Sequence, residues 1–154
     1  MTYSLGPPAS AEEWQAFHDI RRTELFEARG RFGMYDPDHP HDRDPANRPL
    51  LLKCGGAPVA TVRLDDFGDH TGAVRLVAVV RGEQGRGHGR VLQRLVEAAA
   101  RQRGIDTLYV NAAPTAIGYY EKTGWERFVW DAEELAGMAE DCIQMRKRID
   151  AGAA

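Results

Sequence analysis

The chain has 154 residues, 43% of them hydrophobic, which suits one domain with an ordinary buried core and leaves little room for a second. A formal net charge of −3 argues against a nucleic-acid binder, whose surface is usually basic, and no window holds the ~20 apolar residues that a membrane-spanning helix needs. The first residues, Met-Thr-Tyr-Ser-Leu-Gly-Pro-Pro, lack the basic and apolar segments of a signal peptide, and Cys54 and Cys142 lie far apart outside any C-x-x-C spacing, so the expected setting is the reducing cytoplasm.

In chain order, Tyr3–Leu5 reads as a short strand ended by Gly6-Pro7-Pro8. Ser10-Ala11-Glu12-Glu13 is a capping box, in which the hydroxyl and the glutamate three residues on satisfy free backbone N–H groups. It opens a helix with Trp14, Phe17, Ile20 and Leu25 at helical spacing, stopping near Gly30. Residues 35–49 hold four prolines among Asp, His and Arg, which excludes regular helix or central strand and suggests a loop on the substrate side. There His39 and His41 alternate with Asp36, Asp38, Asp42 and Asp44 in imitation of a metal site; a Pro-broken loop lacks the rigid geometry, and no metal is expected. Leu50–Cys54 and Pro58–Leu64 are strands joined by Gly55-Gly56, and Val74–Val80 has the near-continuous apolar run of a strand buried on both faces. A Gly-rich segment then leads into a helix from about Gly87 to Arg103, with Val91, Leu92, Leu95, Val96 and Ala99 as its apolar stripe and Gly104 as its stop. Thr107–Asn111 is a strand, Thr115–Lys122 a short helix, and Arg127–Trp130 and Cys142–Ile149 the final strands, with Trp125 and Trp130 as packing residues. With neither repeat nor linker, residues 1–154 are expected to form one α/β (α+β) domain, a sheet with helices on its faces.

The segment Gln84-Gly85-Arg86-Gly87-His88-Gly89-Arg90 carries the chemistry. Glycines let backbone approach a ligand, and the first N–H groups of the next helix point outward with its dipole behind them, so the junction is an anion site suited to phosphate. Arg86 and Arg90 add positive charge. The third glycine of a dinucleotide fingerprint and the Gly-Lys-Ser/Thr of a Walker loop are both absent. A Gly-rich connection that binds nothing is the plain alternative.

Gln84-x-x-Gly87-x-Gly89 after an apolar strand resembles the Q/R-x-x-G-x-G/A signature of the GNAT superfamily of acyl-CoA N-acyltransferases. Downstream, Ala116-Ile-Gly-Tyr119-Tyr120-Glu121-Lys122-Thr-Gly124-Trp125 is similar to that family's A-x-x-F-Y-E-K-x-G-F segment, in the family's order and at a familiar separation. The resemblance runs from about Leu50 to the C-terminus. It implies a mixed, mostly antiparallel sheet of six to seven strands with helices on both faces, and acetyl-CoA as co-substrate. It further implies that backbone groups of Val77, Ala78 and Val79 hold the pantetheine arm in a slot between splayed strands, that Gln84, Gly85, Arg86, Gly87, His88, Gly89 and Arg90 surround the pyrophosphate, and that Asn111 contacts the cofactor. Tyr120 matches the tyrosine that serves as general acid toward the leaving thiolate; with a reference pKa of ~10 it keeps its proton at neutral pH and can give it to a thiolate of pKa ~8.5.

The family's mechanism is direct attack of a neutral amine, and neither cysteine falls in a matched motif. Some members carry a basic glutamate near the start of the central strand; here Ala73, Val74 and Arg75 stand there, which leaves Glu24, Glu27, Asp36 or a water chain. His88, at a position the family leaves variable, either offers a ring N–H to phosphate or faces solvent. The expected partners are an acyl-CoA and a primary amine, with no nucleic acid and no membrane; a homodimer through the C-terminal strands fits related proteins. Polyamines, aminoglycosides, amino acids and protein amines all stay open as acceptors. Two rivals remain: a non-catalytic acyl-CoA sensor, suggested by the missing carboxylate, and a toxin acetylating aminoacyl-tRNA, opposed by the mild acidity.

Overall fold

The computed structural model describes residues 2–149, the side chain of Met138 excepted. Strands β1 (Tyr3–Gly6), β2 (Asn47–Cys54), β3 (Ala57–Asp66), β4 (Thr71–Val79), β5 (Thr107–Ala112), β6 (Glu126–Arg127) and β7 (Ile143–Arg148) form one sheet in the order β1-β2-β3-β4-β5-β7-β6. Only β4 and β5 run parallel, and the fifteen-residue helix α2 (His88–Gln102) makes the crossover between them. This is the mixed, mostly antiparallel α/β sheet expected from the sequence. The 1–154 domain span reaches beyond the described residues at both ends.

Each face of the sheet buries its own apolar set. Leu92, Val96 and Ala100 of α2 pack with Leu108, Val110 and Ala112 of β5 and with Leu50, Leu52, Val62 and Leu64 of β2 and β3. Full burial of side chains of this size is worth about 1.5–3 kcal/mol each. On the opposite face α1 (Ala11–Arg21) sets Phe17 and Ile20 against Leu51 and Ala78. The Ser10 hydroxyl accepts from Glu13 N (3.1 Å) as the capping box requires, while the Glu13 carboxylate reaches one residue further back, to Ala9 N (3.0 Å). α2 stops in a Schellman turn: Ile105 N donates to Ala100 O and Gly104 N to Arg101 O, both 3.0 Å, with Gly104 at φ +78°.

Three expectations are corrected. The first helix does not run regularly to Gly30; after Arg21 it widens into a π turn, Arg22–Phe26, and tightens into a 3-10 turn, Glu27–Arg29. The 35–49 segment is not wholly irregular. Pro40–Arg43 is a 3-10 turn, and 47–49 extend β2 beyond the end of β1, whose last pair is Gly6 with Leu51, so Pro49 owes no hydrogen bond to β1. Arg127–Trp130 is not a strand; β6 ends at Arg127, and Trp130 turns back so that its indole Nε1 donates to Val110 O at 3.2 Å.

Candidate active site

β4 and β5 are paired only from Thr71–Thr107 to Val74–Val110. Beyond that point β4 stays with β3 (Thr61–Ala78, Ala60–Val79), while β5 follows β7 (Asn111–Gln144, Ala112–Ile143). The cause lies in β4. Between Thr61 and Arg63 the register with β3 slips, so that Leu76 and Val77 share one opposing residue, and Leu76 takes φ +53°. A bulge bends its strand, and a left-handed leucine costs about 1–2 kcal/mol that the surrounding sheet sustains. The result is a slot flanked by Val77, Ala78 and Val79 on one side and Asn111 on the other. Leu76, Val77 and Val79 are half-buried there, which corrects the expectation of a strand buried on both faces throughout.

The Gly-rich loop lies at the open end of the slot. Gln84 Nε2 donates to Val79 O (3.1 Å), tying the loop to the last residue of β4. Gly85 (φ +82°) and Gly87 (φ +86°) take left-handed conformations that a side chain resists, and Gly87 is the N-cap of α2 with no side-chain cap bond. The first N–H groups of α2 are therefore offered outward, beside Arg86 and Arg90. Glu83 opposes them; its carboxylate holds Arg86 at 3.2 Å. Along α2, Arg90, Arg94 and Arg101 line a groove of about 220 Å³ with Lys147 of β7, against the single carboxylate Glu97, which Lys147 Nζ meets at 2.9 Å.

His88 does not face solvent. Its ring is buried, Nδ1 lies 2.8 Å from the Tyr3 hydroxyl, and Nε2 is a buried atom without a hydrogen-bond partner among the described residues, 4.0 Å from Glu83. The ring pins the first turn of α2 to β1, and only the backbone of His88 is presented at the loop.

Tyr120 lies on α3 (Ile117–Lys122), after a 3-10 turn at Pro114–Ala116. Its ring packs edge-on against Tyr119 and Trp125, with centroids 5.4 and 5.3 Å apart. Burial, then the charges of Tyr119 and Cys142, push its hydroxyl far above the usual tyrosine range, so the proton stays on. Tyr119 is the clamp between helices: its hydroxyl donates to Gly89 O at 2.9 Å. Neither Cys54 nor Cys142 forms a disulfide.

The opposite face of the sheet holds charges of alternating sign. Arg21 donates to Asp42 (2.8 Å), Asp42 accepts from Arg63 (3.0 Å), and Asp65 accepts from Arg63 (2.7 Å) and Arg75 (3.0 Å). Arg75 then grips Glu134 with both terminal nitrogens, and Asn111 Nδ2 donates to Glu134 at 3.2 Å, at the mouth of the slot. Burial pushes the Asp42 and Glu134 carboxyls up, but the hydrogen bonds and charge of Arg21 and Arg75 respectively hold both below the usual carboxylate range.

The remaining sequence candidates scatter. Glu24 accepts from Arg81 N (3.0 Å) just past the end of β4, Glu27 sits 3.9 Å from Arg22, and Asp36 accepts from Asp38 N in a turn. Asp42 serves the ion-pair chain, and no group of three His, Cys, Asp or Glu among the described residues is placed to hold a metal ion. Sequence reasoning missed Arg75, Glu134 and Gln144 as site residues. Arg75 alone left a signal, as a charge inside an apolar strand.

The acetyltransferase (GNAT) family matches residues 14–125. A GNAT-family acetyltransferase of Staphylococcus aureus Mu50 superposes with a TM-score of 0.75 at 12% identity, over 97% of this chain and 100% of that one. An acyl-CoA N-acyltransferase of Pseudomonas aeruginosa gives 0.74 at 18% identity, over 95% and 98%. The PaiA N-acetyltransferase of Thermoplasma acidophilum, solved in complex with coenzyme A, gives 0.70 at 11% identity, over 96% and 99%. At such identities these structures share the fold. The family match spans most of the chain, and the chain belongs to the acetyltransferase (GNAT) family.

Proposed function

We propose that this protein is an N-acetyltransferase that moves an acyl group from acetyl-CoA directly to a primary amine of a small molecule or peptide. The observation that carries the reading is the parting of β4 from β5 beside the uncapped N-terminus of α2. The residues present fit a CoA thioester: left-handed glycines and free N–H groups for the pyrophosphate, a basic groove for further phosphate, and a strand-flanked slot for the arm. Acetyl-CoA, when bound, supplies the activated acyl group.

In this reading Gln84 to Arg90 hold the pyrophosphate, Val77, Ala78 and Val79 offer strand backbone to the arm, and Asn111 faces them. Tyr120 keeps its proton in an apolar pocket until sulfur leaves. As the amine nitrogen bonds the acyl carbon, the carbon–sulfur bond breaks, sulfur takes the Tyr120 proton, and the proton released by nitrogen passes through water and restores the Tyr120 hydroxyl. Glu134 is a poor base here, because Arg75 holds its carboxyl below the usual range, and Glu24 is engaged by the Arg81 backbone N–H. The reading carries with it a cytoplasmic location.

Calorimetric titration of acetyl-CoA into the wild type and a Gly89→Trp variant, with thiol release followed over an amine panel, tests the proposal. Gly89 has ordinary backbone angles, and its nearest neighbour to an added Cβ would be the Tyr119 hydroxyl at 3.7 Å, so the larger side chain projects without backbone strain. Binding lost in the variant, together with thiol release by the wild type, is the expected result. Binding without release for any amine would favour an acyl-CoA sensor, and no binding would end the acetyl-CoA reading.

A further inference from the structure

The face of the sheet opposite α2 carries a cavity of about 400 Å³ whose walls include Phe67, Tyr109 and Trp130 and whose polar groups include Asp69, Asp131 and Glu134. The Tyr109 and Trp130 rings stack at 5.1 Å with 13° between their planes, and Phe67 closes on both at 6.2–6.4 Å. The wall is built rather than incidental. Gln144, buried to 3% exposure, accepts from Trp130 N and Asp131 N at 2.9 Å each, and its own amide donates to Asn111 Oδ1 at 3.0 Å.

One of these rings already holds a cation of the chain itself: the Arg75 guanidinium lies 5.5 Å from the Trp130 ring centroid. Among the described residues no Lys, Arg or His belongs to the cavity lining, and Arg75 offsets one of the three carboxylates from the side. The alternating charges from Arg21 end on Glu134, and a further positive charge in the cavity would continue the alternation. Glu134 also touches Asn111, at the slot, and Asn111 stands two residues beyond Tyr109 on β5, about 7 Å along the strand.

From this juxtaposition we propose that the acceptor is an aliphatic diamine or polyamine. One ammonium sits among Asp69, Asp131 and Glu134, its methylenes lie on Tyr109 and Trp130, and the far amine, uncharged when it reacts, reaches the slot. The aromatic faces and carboxylates select a charged, slender chain and offer nothing to an anionic group. This deepens the acetyltransferase reading and rests on it for the transfer step.

The test compares cadaverine with pentylamine, which differ by the second amine, in the wild type and an Asp69→Asn, Asp131→Asn double variant. The amides preserve the acceptor oxygens that hold Thr71 and the Glu133 N–H while removing two charges. We expect kcat/KM for cadaverine to exceed that for pentylamine by about tenfold, and the double variant to erase the preference through KM with kcat unchanged. Equal use of the two amines, or a preference that survives in the double variant, would overturn the proposal. Calorimetric titration of cadaverine into protein without acetyl-CoA separates the two readings. Binding that the double variant loses supports the cavity even if no amine is acetylated, whereas no binding to the wild type rejects it.

Discussion

The two faces of the sheet are built in different ways. On the α2 face the candidate site is backbone: two left-handed glycines, an uncapped helix terminus and a strand bent by a bulge, all within residues 76–90. On the opposite face it is side chain: Arg21, Asp42, the β3 pair Arg63 and Asp65, Arg75 and Glu134 come from five places along the chain and meet only when it folds. A backbone site tolerates side-chain changes that respect its φ angles, whereas a chain of buried charges fails when one link is removed. Stability and affinity should therefore divide between the faces.

The largest effect is expected at Asp42. It separates Arg21, 1% exposed, from Arg63, and the Arg21 Nε and Nη2 atoms have no hydrogen-bond partner among the described residues. Asp42→Asn should cost about 3–5 kcal/mol in urea unfolding, because a buried guanidinium loses its counter-charge. The pH dependence has a fixed sign. A carboxyl held below its ordinary 3.8 contributes stability above that value and loses it as the pH falls through the lower folded value; Glu134, below 4.5, does the same from a slightly higher pH. Melting followed from pH 7 down to pH 3 should show a steep acid limb in the wild type and a shallower one in the variant. Equal limbs would remove Asp42 from this role.

Next is Tyr120→Phe. With the ring packing kept, kcat should fall about 10²-fold with acetyl-CoA affinity unchanged, read by steady-state kinetics beside calorimetry. A loss of binding instead of turnover would make Tyr120 a packing residue of the α2 face. Third is Gly72→Ala, between the two faces. A Cβ there would stand 2.5 Å from Asp65 O across the β3–β4 pair, and the strain should cost about 1–3 kcal/mol in thermal unfolding. An unperturbed melting temperature would mean that β4 can shift away from β3.

The contrast also explains what could be read from the chain. The glycine loop, α2 with its Gly104 stop, the Ser10 cap and Tyr120 on its short helix are local patterns, and local patterns survive in a linear string. The parting of β4 from β5 was legible only through the family resemblance; its local cause, Leu76 at φ +53° against its own preference, left no such mark. Asp42 read as one of four loop aspartates in imitation of a metal site, and Glu134 drew no reading, since the partners of each are more than twenty residues away. His88 misled for the same reason: its partner, Tyr3, is 85 residues distant.

The smallest effect has the opposite sign from the others and bears on the backbone face alone. Among the described residues Glu83 is the one carboxylate in an ion pair with the glycine loop, 3.2 Å from Arg86 and 4.0 Å from the buried His88 ring. It neutralises a cation that an anion would otherwise meet, and its own charge repels phosphate. Glu83→Gln should therefore tighten acetyl-CoA binding by about threefold, with the gain shrinking as salt is raised. Arg86 is mostly exposed, at 66%, so folding stability should not change. Weaker binding would mean that Glu83 shapes the loop through Arg86 and that its charge is secondary, and the α2 face would then share the dependence on paired side chains that distinguishes the other.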